Sequence, residues 1–137
     1  MLKKVLFFVL ALPTLAFCSS TKENRLLYRL WNDMKTTNMY DLGKFTSKHF
    51  QSAHYDGARN KSQELQLIAN LHMTDYTLSD IKRTKSHNVL IFTYFATTTE
   101  TINDYPITST SERISVFQKH KGSWHWIAHA NLVYPVN

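Results

Sequence analysis

The sequence predicts an α+β domain in which helices precede a set of long antiparallel strands. Apolar residues recur at helical spacing directly after residue 20 and again after Asn60, whereas from Tyr76 onward the apolar period changes to two. The segment from Tyr76 is also rich in β-branched and aromatic residues and is interrupted only by short turn-forming groups. No internal repeat divides the chain, so these elements describe a single domain over residues 19–137.

Three helical segments are predicted in the first half. Residues 21–36 place a set of apolar side chains on one helical face: Leu26, Leu27, Leu30, Trp31 and Met34. A shorter helix is predicted over residues 39–46. The third helix begins after Asn60, whose side chain is suited to cap it, and Gln63 is placed to complete a capping box.

Strands are predicted between and after these helices. Residues 50–55 form a short strand that ends in a turn at Asp56 and Gly57. Residues 89–99 are apolar on both faces, so we expect a central strand that is covered on two sides. The other long strands are predicted over residues 76–83, 107–119 and 124–133, joined by turns near residues 85–88, 103–106 and 121–123.

The first 18 residues have the pattern of a secretory signal peptide. Lys3 and Lys4 precede an apolar run over residues 5–12, and small residues follow at positions suited to cleavage. The run is shorter than the roughly 20 residues that a spanning helix needs, so no transmembrane segment is predicted. We therefore expect a bacterial protein that is exported to the periplasm or secreted.

Cys18 is the only cysteine of the chain and offers a second processing route. Residues 15–18 partly resemble a lipobox, in which Cys18 would become a lipidated first residue. Phe17 is large where such motifs carry a small residue, so cleavage by ordinary signal peptidase is the favoured prediction. A single cysteine cannot form a disulfide within the chain, and the domain must be stabilised by packing.

Charge and motif content exclude several functional classes. The formal net charge is +6, but Lys and Arg are scattered singly along the sequence and form no basic helix or arm. Nucleic-acid binding is therefore not predicted. The seven His residues do not have metal-ligand spacing, and no glycine-rich phosphate loop or nucleophile elbow is present. We predict no metal and no cofactor.

Three segments carry a resemblance to a known family. They are residues 50–61, residues 87–94, and residues 113–132 with their Gly122 turn. Together they resemble the nuclear-transport-factor-2-like superfamily, especially small exported members of its SnoaL-like branch whose role is unknown. The resemblance covers residues 21–134. It implies a cone-shaped, cystatin-like fold in which a curved mixed or antiparallel sheet wraps about three helices, with a pocket at the open end. This superfamily includes both enzymes and binding domains, so the fold alone does not select a function.

The final strand suggests where a pocket could form. Strict alternation places Trp124 and Trp126 on one face together with Ala128 and Ala130, so that small residues leave a hollow beside large ones. A β-bulge would break the alternation and bring His129 inside instead. The predicted pocket wall consists of Tyr28, Trp31, Tyr40, Tyr94, Arg113, Trp126 and Asn131.

Three functions remain open. The first is a binding domain for a small apolar or amphipathic molecule, or for a partner, with Arg113 placed to bind an acidic ligand or an acidic side chain of the chain itself. The second is a cofactor-free isomerase, cyclase or dehydratase that uses His54, Asp56 or His129 for general acid–base catalysis. The third is a homodimeric interaction domain that buries the outer sheet face, including Val89, Ile91, Thr93 and Phe95.

Overall fold

The computed structural model describes residues 21–102 and 105–132, which form three helices and six strands. The helices are α1 (Asn24–Lys35), α2 (Met39–Phe45) and α3 (Lys61–Ala69). The strands are β1 (Thr46–His54), β2 (Gly57–Asn60), β3 (Met73–Ser86), β4 (Val89–Ile102), β5 (Tyr105–His120) and β6 (Ser123–Asn131). The expected signal segment and the first two residues of the predicted 103–106 turn lie outside the described residues.

The six strands form one mixed sheet in the order β2-β1-β6-β5-β4-β3. Strands β1 and β6 pair in parallel, whereas every other neighbouring pair is antiparallel. The predicted α+β class and curved sheet on three helices are confirmed. The parallel β1–β6 pair joins strands that are distant in the sequence, so no local pattern could indicate it.

Local sequence explains where the helices begin. Asn60 accepts a hydrogen bond from the Gln63 backbone N–H, and the Gln63 side chain accepts one from the Asn60 N–H, so the predicted capping box is present. Asn38 caps α2 in a similar way by accepting from the Asp41 N–H. Helix α1 buries Leu27, Leu30 and Trp31, as its apolar spacing predicts.

Two strand predictions need correction. Strand β1 begins directly after α2, four residues before the predicted start, and the β2 strand was predicted only as a turn and a helix cap. Strand β4 is not a central strand covered on two sides, because it is the second strand from the β3 edge and its outer face carries half-exposed or exposed residues such as Ile91 and Phe95. Its inner face alone is buried, at alternate positions from Leu90 to Thr98.

A β-bulge divides β6. Val116 of β5 pairs with Ala128, but Phe117 pairs with Trp126, so Ile127 is the extra residue. Trp126 and His129 are therefore both buried on the inner face. The predicted hollow beside Ala128 and Ala130 is wrong, because the bulge moves both alanines to the other face and the bulged alternative places His129 inside.

Candidate functional site

A cavity of about 510 Å³ lies between the concave face of the sheet and helices α1 and α3. Its apolar wall consists of Trp31, Met34, Leu67, Ile68, Leu71, Met73 and Ile107. Its polar wall includes His54, Asp56, Arg59, Glu64, Thr98, Glu100, Arg113, His129 and Asn131. The volume is in the range of small-molecule sites, and the lining combines a broad apolar surface with convergent polar groups.

His129 is a buried titratable group of this wall. Its Nδ1 atom lies 3.1 Å from Ser115 Oγ, Ser115 Oγ lies 2.9 Å from the Tyr94 hydroxyl, and Trp31 Nε1–H donates to that hydroxyl over 3.0 Å. Because the indole can only donate, the arrangement that uses each donor once has Tyr94 donating to Ser115 and Ser115 donating to His129. Because His129 Nδ1 accepts in this series of buried hydrogen bonds, the neutral ring carries its proton on Nε2.

Burial determines the protonation states of His129 and Tyr94. Removal from water, followed by the nearby Arg113 charge, lowers the pKa of His129 to about 3. Burial also raises the pKa of the Tyr94 hydroxyl. Both side chains are therefore neutral at neutral pH, and the imidazole can offer a hydrogen bond to a ligand without carrying a charge.

Arg113 supplies the positive charge of the cavity. Its Nε–H donates to Ser111 Oγ over 2.9 Å, and its guanidinium lies 5.7 Å from the centre of the Trp31 ring. Burial lowers the pKa of Arg113, although the group remains a cation at neutral pH. Within residues 21–102 and 105–132, no carboxylate lies within 4.0 Å of its nitrogens. The described residues thus leave this cation without an ion-pair partner.

Glu64 provides the opposite charge on the neighbouring wall. Its Oε2 atom accepts from Ser52 Oγ over 2.7 Å and lies 2.9 Å from His54 Nε2. Burial raises the pKa of this carboxyl, but the hydrogen bonds from His54 and Ser52 outweigh it, and the pKa stays below its ordinary value. Glu64 is therefore ionised at neutral pH although its side chain is only 3% exposed.

The structure brings together only part of the predicted site. His54, Asp56, His129, Trp31, Arg113 and Asn131 line the cavity. Tyr94 lies behind this wall, and Trp126 is fully buried among aromatic rings. Tyr28 and Tyr40 are 40% and 71% exposed and do not line the cavity, so the structure does not support their placement in its wall.

Asp56 has a different environment from a catalytic base. It is exposed, its Oδ2 atom accepts from Arg59 over 2.7 Å, and this bond lowers the pKa of the carboxyl. A carboxylate on an exposed turn is hydrated and lacks the water-excluded surroundings that a buried wall residue such as Glu64 has. Its position fits the ordinary chemistry of the turn between β1 and β2.

Sequence reasoning missed Glu64, Ser52 and Ser115. Glu64 stands four residues before Ile68, the other buried residue of α3, so helical spacing could have indicated that it faces the sheet. The two serines carry no such signal, because only strand register places Ser52 and Ser115 on either side of His129.

Within the described part of the chain, no group of three or more His, Cys, Asp or Glu side chains is arranged to hold a metal ion. Among those same residues, none of the helices combines the length and apolar character needed to cross a membrane.

The fold is shared with solved structures of low sequence identity. A nuclear-transport-factor-2-like protein from Rhodospirillum rubrum, described as of unknown function in nutrient uptake, superposes with a TM-score of 0.76 at 16% identity over 84% of this chain and 100% of that chain. The association domain of C. elegans CaMKII superposes with a TM-score of 0.67 at 10% identity, over 80% of this chain and 91% of that chain. A candidate ketosteroid isomerase from Shewanella frigidimarina superposes with a TM-score of 0.67 at 11% identity, over 78% of this chain and 91% of that chain.

These similarities establish the fold and nothing finer. No protein-family model matches the sequence, and no curated protein matches it significantly. The chain thus has the nuclear-transport-factor-2-like fold that its sequence resembles. Because structures with this fold include an association domain and a candidate isomerase, the site itself must indicate the function.

Proposed function

We propose that this nuclear-transport-factor-2-like domain binds a small organic acid with an apolar body in the cavity. The observation that carries the proposal is Arg113, a half-buried cation on the cavity wall with no carboxylate within 4.0 Å among the described residues. A partly desolvated guanidinium without an ion-pair partner forms a strong charge-assisted hydrogen bond with a ligand carboxylate that reaches it. The apolar wall formed by α1 and α3 would receive the remainder of the ligand.

Matched ligands and matched variants test this proposal. The probes are straight-chain and aryl monocarboxylic acids, each compared by calorimetry with its primary amide, which has the same shape and no charge. We expect the acids to bind and the amides to bind at least about 30-fold more weakly, because breaking a buried charge pair costs roughly 2–5 kcal/mol. Arg113→Gln should remove this preference for the acid.

Arg59→Gln is the control. Arg59 also lines the cavity, and its Nη2 donates to Asp56 over 2.7 Å at the mouth. Its buried Nη1 has no hydrogen-bond partner among the described residues, so the two variants together decide which guanidinium receives the carboxylate. We expect the Arg59 variant to keep the preference for the acid. Equal binding of acid and amide, or a loss confined to the Arg59 variant, would show that Arg113 is not the anion anchor.

A second candidate function is general acid–base catalysis, and Glu64 favours it. The cavity wall contains a buried carboxylate held ionised by His54 and Ser52, with the neutral His129 ring centred 6.2 Å from the His54 ring. A carboxylate base beside a neutral hydrogen-bond donor is suited to moving a proton next to a carbonyl. Under this alternative, Glu64 is the base and His129 polarises the substrate.

Deuterium exchange separates binding from catalysis. Monocarboxylic acids that also carry a ketone are added as probes and incubated with the protein in heavy water. Loss of the proton next to the ketone carbonyl is followed by NMR. An enzyme would exchange it and Glu64→Gln would slow the exchange at least about 100-fold, the scale of general base catalysis. Binding without exchange would leave the chain a binding domain.

The outer sheet face supports homodimer formation. The helices cover only the inner face, while Val89, Ile91, Ile114 and Val116 remain half-exposed and Phe95 is 36% exposed on the other side. This contiguous apolar surface fits a second copy of the same chain. Some structures with this fold are association domains, which is consistent with self-assembly.

Sedimentation at micromolar concentration tests the dimer. We expect twice the monomer mass, and Phe95→Glu should give monomer because a buried charge opposes the interface. Tyr55→Glu, which places the same charge on an exposed turn, is the control. A monomer for the unmodified chain would exclude this interface.

The site of action is proposed to be outside the bacterial cytoplasm. The pattern of residues 1–18 supports export, with cleavage near Ser20 favoured over lipidation at Cys18. Mass spectrometry of the mature N-terminus after expression in a bacterial host tests both routes. An intact Met1 in the cytoplasmic fraction would contradict export.

A further inference from the structure

Two hairpin tips and the start of α1 meet at the end of the sheet opposite the cavity. The β3–β4 hairpin turns at residues 87–88 and the β5–β6 hairpin at residues 121–122. The Lys119 N–H donates to the Asn88 carbonyl over 2.7 Å and holds the tips side by side. We call the resulting surface the basic end, and it consists of Lys22, Arg83, Lys85, His87, Lys119 and Lys121.

The charge of the basic end is poorly balanced. The acidic residue beside it, Glu23, accepts from Lys85 Nζ over 3.1 Å and has Arg83 Nη1 at 3.7 Å. Lys22, Lys119 and Lys121 are exposed, and across residues 21–102 and 105–132 they have no carboxylate within 4.0 Å. Cations that are scattered singly in the sequence are therefore gathered on one surface by the fold.

Apolar side chains lie within the same surface. A cleft of about 280 Å³ between α1 and the tips is lined by the half-buried Leu26 and Trp124 together with Lys22, Lys85 and Lys119. An indole ring next to lysines is the combination that favours the boundary between lipid headgroups and acyl chains. A free phosphate would need only the charges, whereas a lipid surface uses both features.

The chain also enters the fold at this end. The Thr21 hydroxyl accepts a hydrogen bond from Arg83, and the apolar run of residues 5–12 and Cys18 precede it in the sequence. Thr21 is three positions after Cys18, a reach of at most about 11 Å at 3.3–3.6 Å per residue. On the favoured route of cleavage near Ser20, the new α-amino group lies at this end and adds a positive charge to it. On the alternative route, an acyl group on Cys18 would hold the basic end within about a Debye length, roughly 8–10 Å at physiological salt, of the headgroups.

We propose that the basic end docks on a membrane surface rich in anionic phospholipid. The lysines contact the phosphate layer, Trp124 and Leu26 face the boundary with the acyl chains, and the cavity opens away from the membrane. Nucleic acid is a poorer occupant, because a duplex binds through a row of phosphate contacts and would not bury the apolar cleft. This inference is independent of what the cavity binds.

Vesicle flotation of the exported protein in its processed form tests the proposal. The probes are vesicles of phosphatidylcholine alone and of phosphatidylcholine with 30% phosphatidylglycerol, a mixture chosen at about the anionic content needed for a surface field. The test variant is Lys22→Gln with Lys119→Gln. The control is Lys35→Gln with Lys82→Gln, which removes the same charge elsewhere, since Lys35 pairs with Asp75 and Lys82 lies on the outer sheet face.

The expected result is selective loss of binding. Each basic residue at an anionic membrane surface changes the affinity about fivefold, so the test variant should bind the anionic vesicles roughly 25-fold more weakly. The control should bind as the unmodified chain does, and thermal unfolding should show that both variants fold. Equal loss in both variants, equal binding to neutral vesicles, or a preference for RNA over vesicles would each overturn the proposal.

Discussion

The two halves of the concave sheet face lie on the same strands but differ in packing: one is filled by aromatic rings and the other lines the cavity with polar groups. Toward the hairpin tips, Phe117 and Trp126 occupy adjacent strands, and their rings pack with those of Phe45, Phe92 and Phe50 at centroid distances of 4.4–5.8 Å. Two to four residues farther along, Ser115, His129 and Arg113 replace the rings and a cavity opens. The aromatic half fixes the sheet on the helices so that the polar half can remain incompletely filled.

Fold stability and site chemistry are separable along a single strand. Rings packed at van der Waals contact stabilise through buried area and dispersion. Buried polar groups stabilise little when paired and destabilise when left unpaired. Substitutions in the two halves should therefore change the free energy of unfolding by amounts that differ in size, in sign and in pH dependence.

The largest effect is expected in the aromatic half. Phe117→Ala should lower the free energy of unfolding by about 3–5 kcal/mol, because Phe117 is fully buried and its removal leaves a cavity between Phe45 and Phe92. Urea denaturation measures the change. Tyr105→Ala, at a side chain that is 75% exposed, is the control and should change stability by less than about 0.5 kcal/mol.

The second prediction concerns pH and the polar half. The pKa of His129 is about 3 in the folded protein and about 6.5 in an unfolded chain, so between these values the unfolded state binds more protons. Stability should fall as pH decreases from about 6.5, with a slope of up to about 1.4 kcal/mol per pH unit from this group. Urea denaturation from pH 7 to pH 5 measures it.

His129→Asn should flatten this pH dependence. The Asn amide oxygen can accept from Ser115 near the position of Nδ1, and it does not titrate. His49→Asn, at an exposed position on β1, should leave the slope as it is in the unmodified chain. A slope that survives His129→Asn would mean that another group is responsible.

The smallest effect is expected at Arg113, and its sign is opposite. Arg113→Met should leave the free energy of unfolding unchanged or raise it by about 1 kcal/mol, because a partly desolvated cation without an ion-pair partner is replaced by an apolar side chain of similar length. Thermal unfolding without added ligand measures the change. A loss greater than about 2 kcal/mol would show that Arg113 supports the fold and is not reserved for a ligand.

Much of the fold could be predicted from local sequence. The helical spacing of Leu27, Leu30 and Trp31, the Asn60 capping box and the turn at Gly122 depend on residues that are neighbours in the chain. These features also predicted the α+β class. The resemblance of the C-terminal strands to a known family supplied the sheet curvature, which periodicity does not report.

The site could be predicted only in part. Arg113 and Trp31 were identified because charged or aromatic residues in such a pattern are conspicuous, whereas Glu64 looked like part of a solvated helix face. Tyr28 and Tyr40 were placed in the wall by residue type alone, and the structure leaves both exposed. Residue type indicates what a side chain can do, but not which surface it faces.

Local sequence sets the helices, the long strands, their order and the available side-chain chemistry, whereas the short β2 strand and the start of β1 escape it. Tertiary structure alone decided which side chains meet, because the parallel β1–β6 pair, the grouping of lysines at the hairpin tips and the bulge at Ile127 depend on contacts between distant segments. The bulge is the sharpest case. One extra residue in the register exchanges Ala128 and Ala130 for His129 and Asn131 on the inner face, since successive side chains of a strand point to opposite sides.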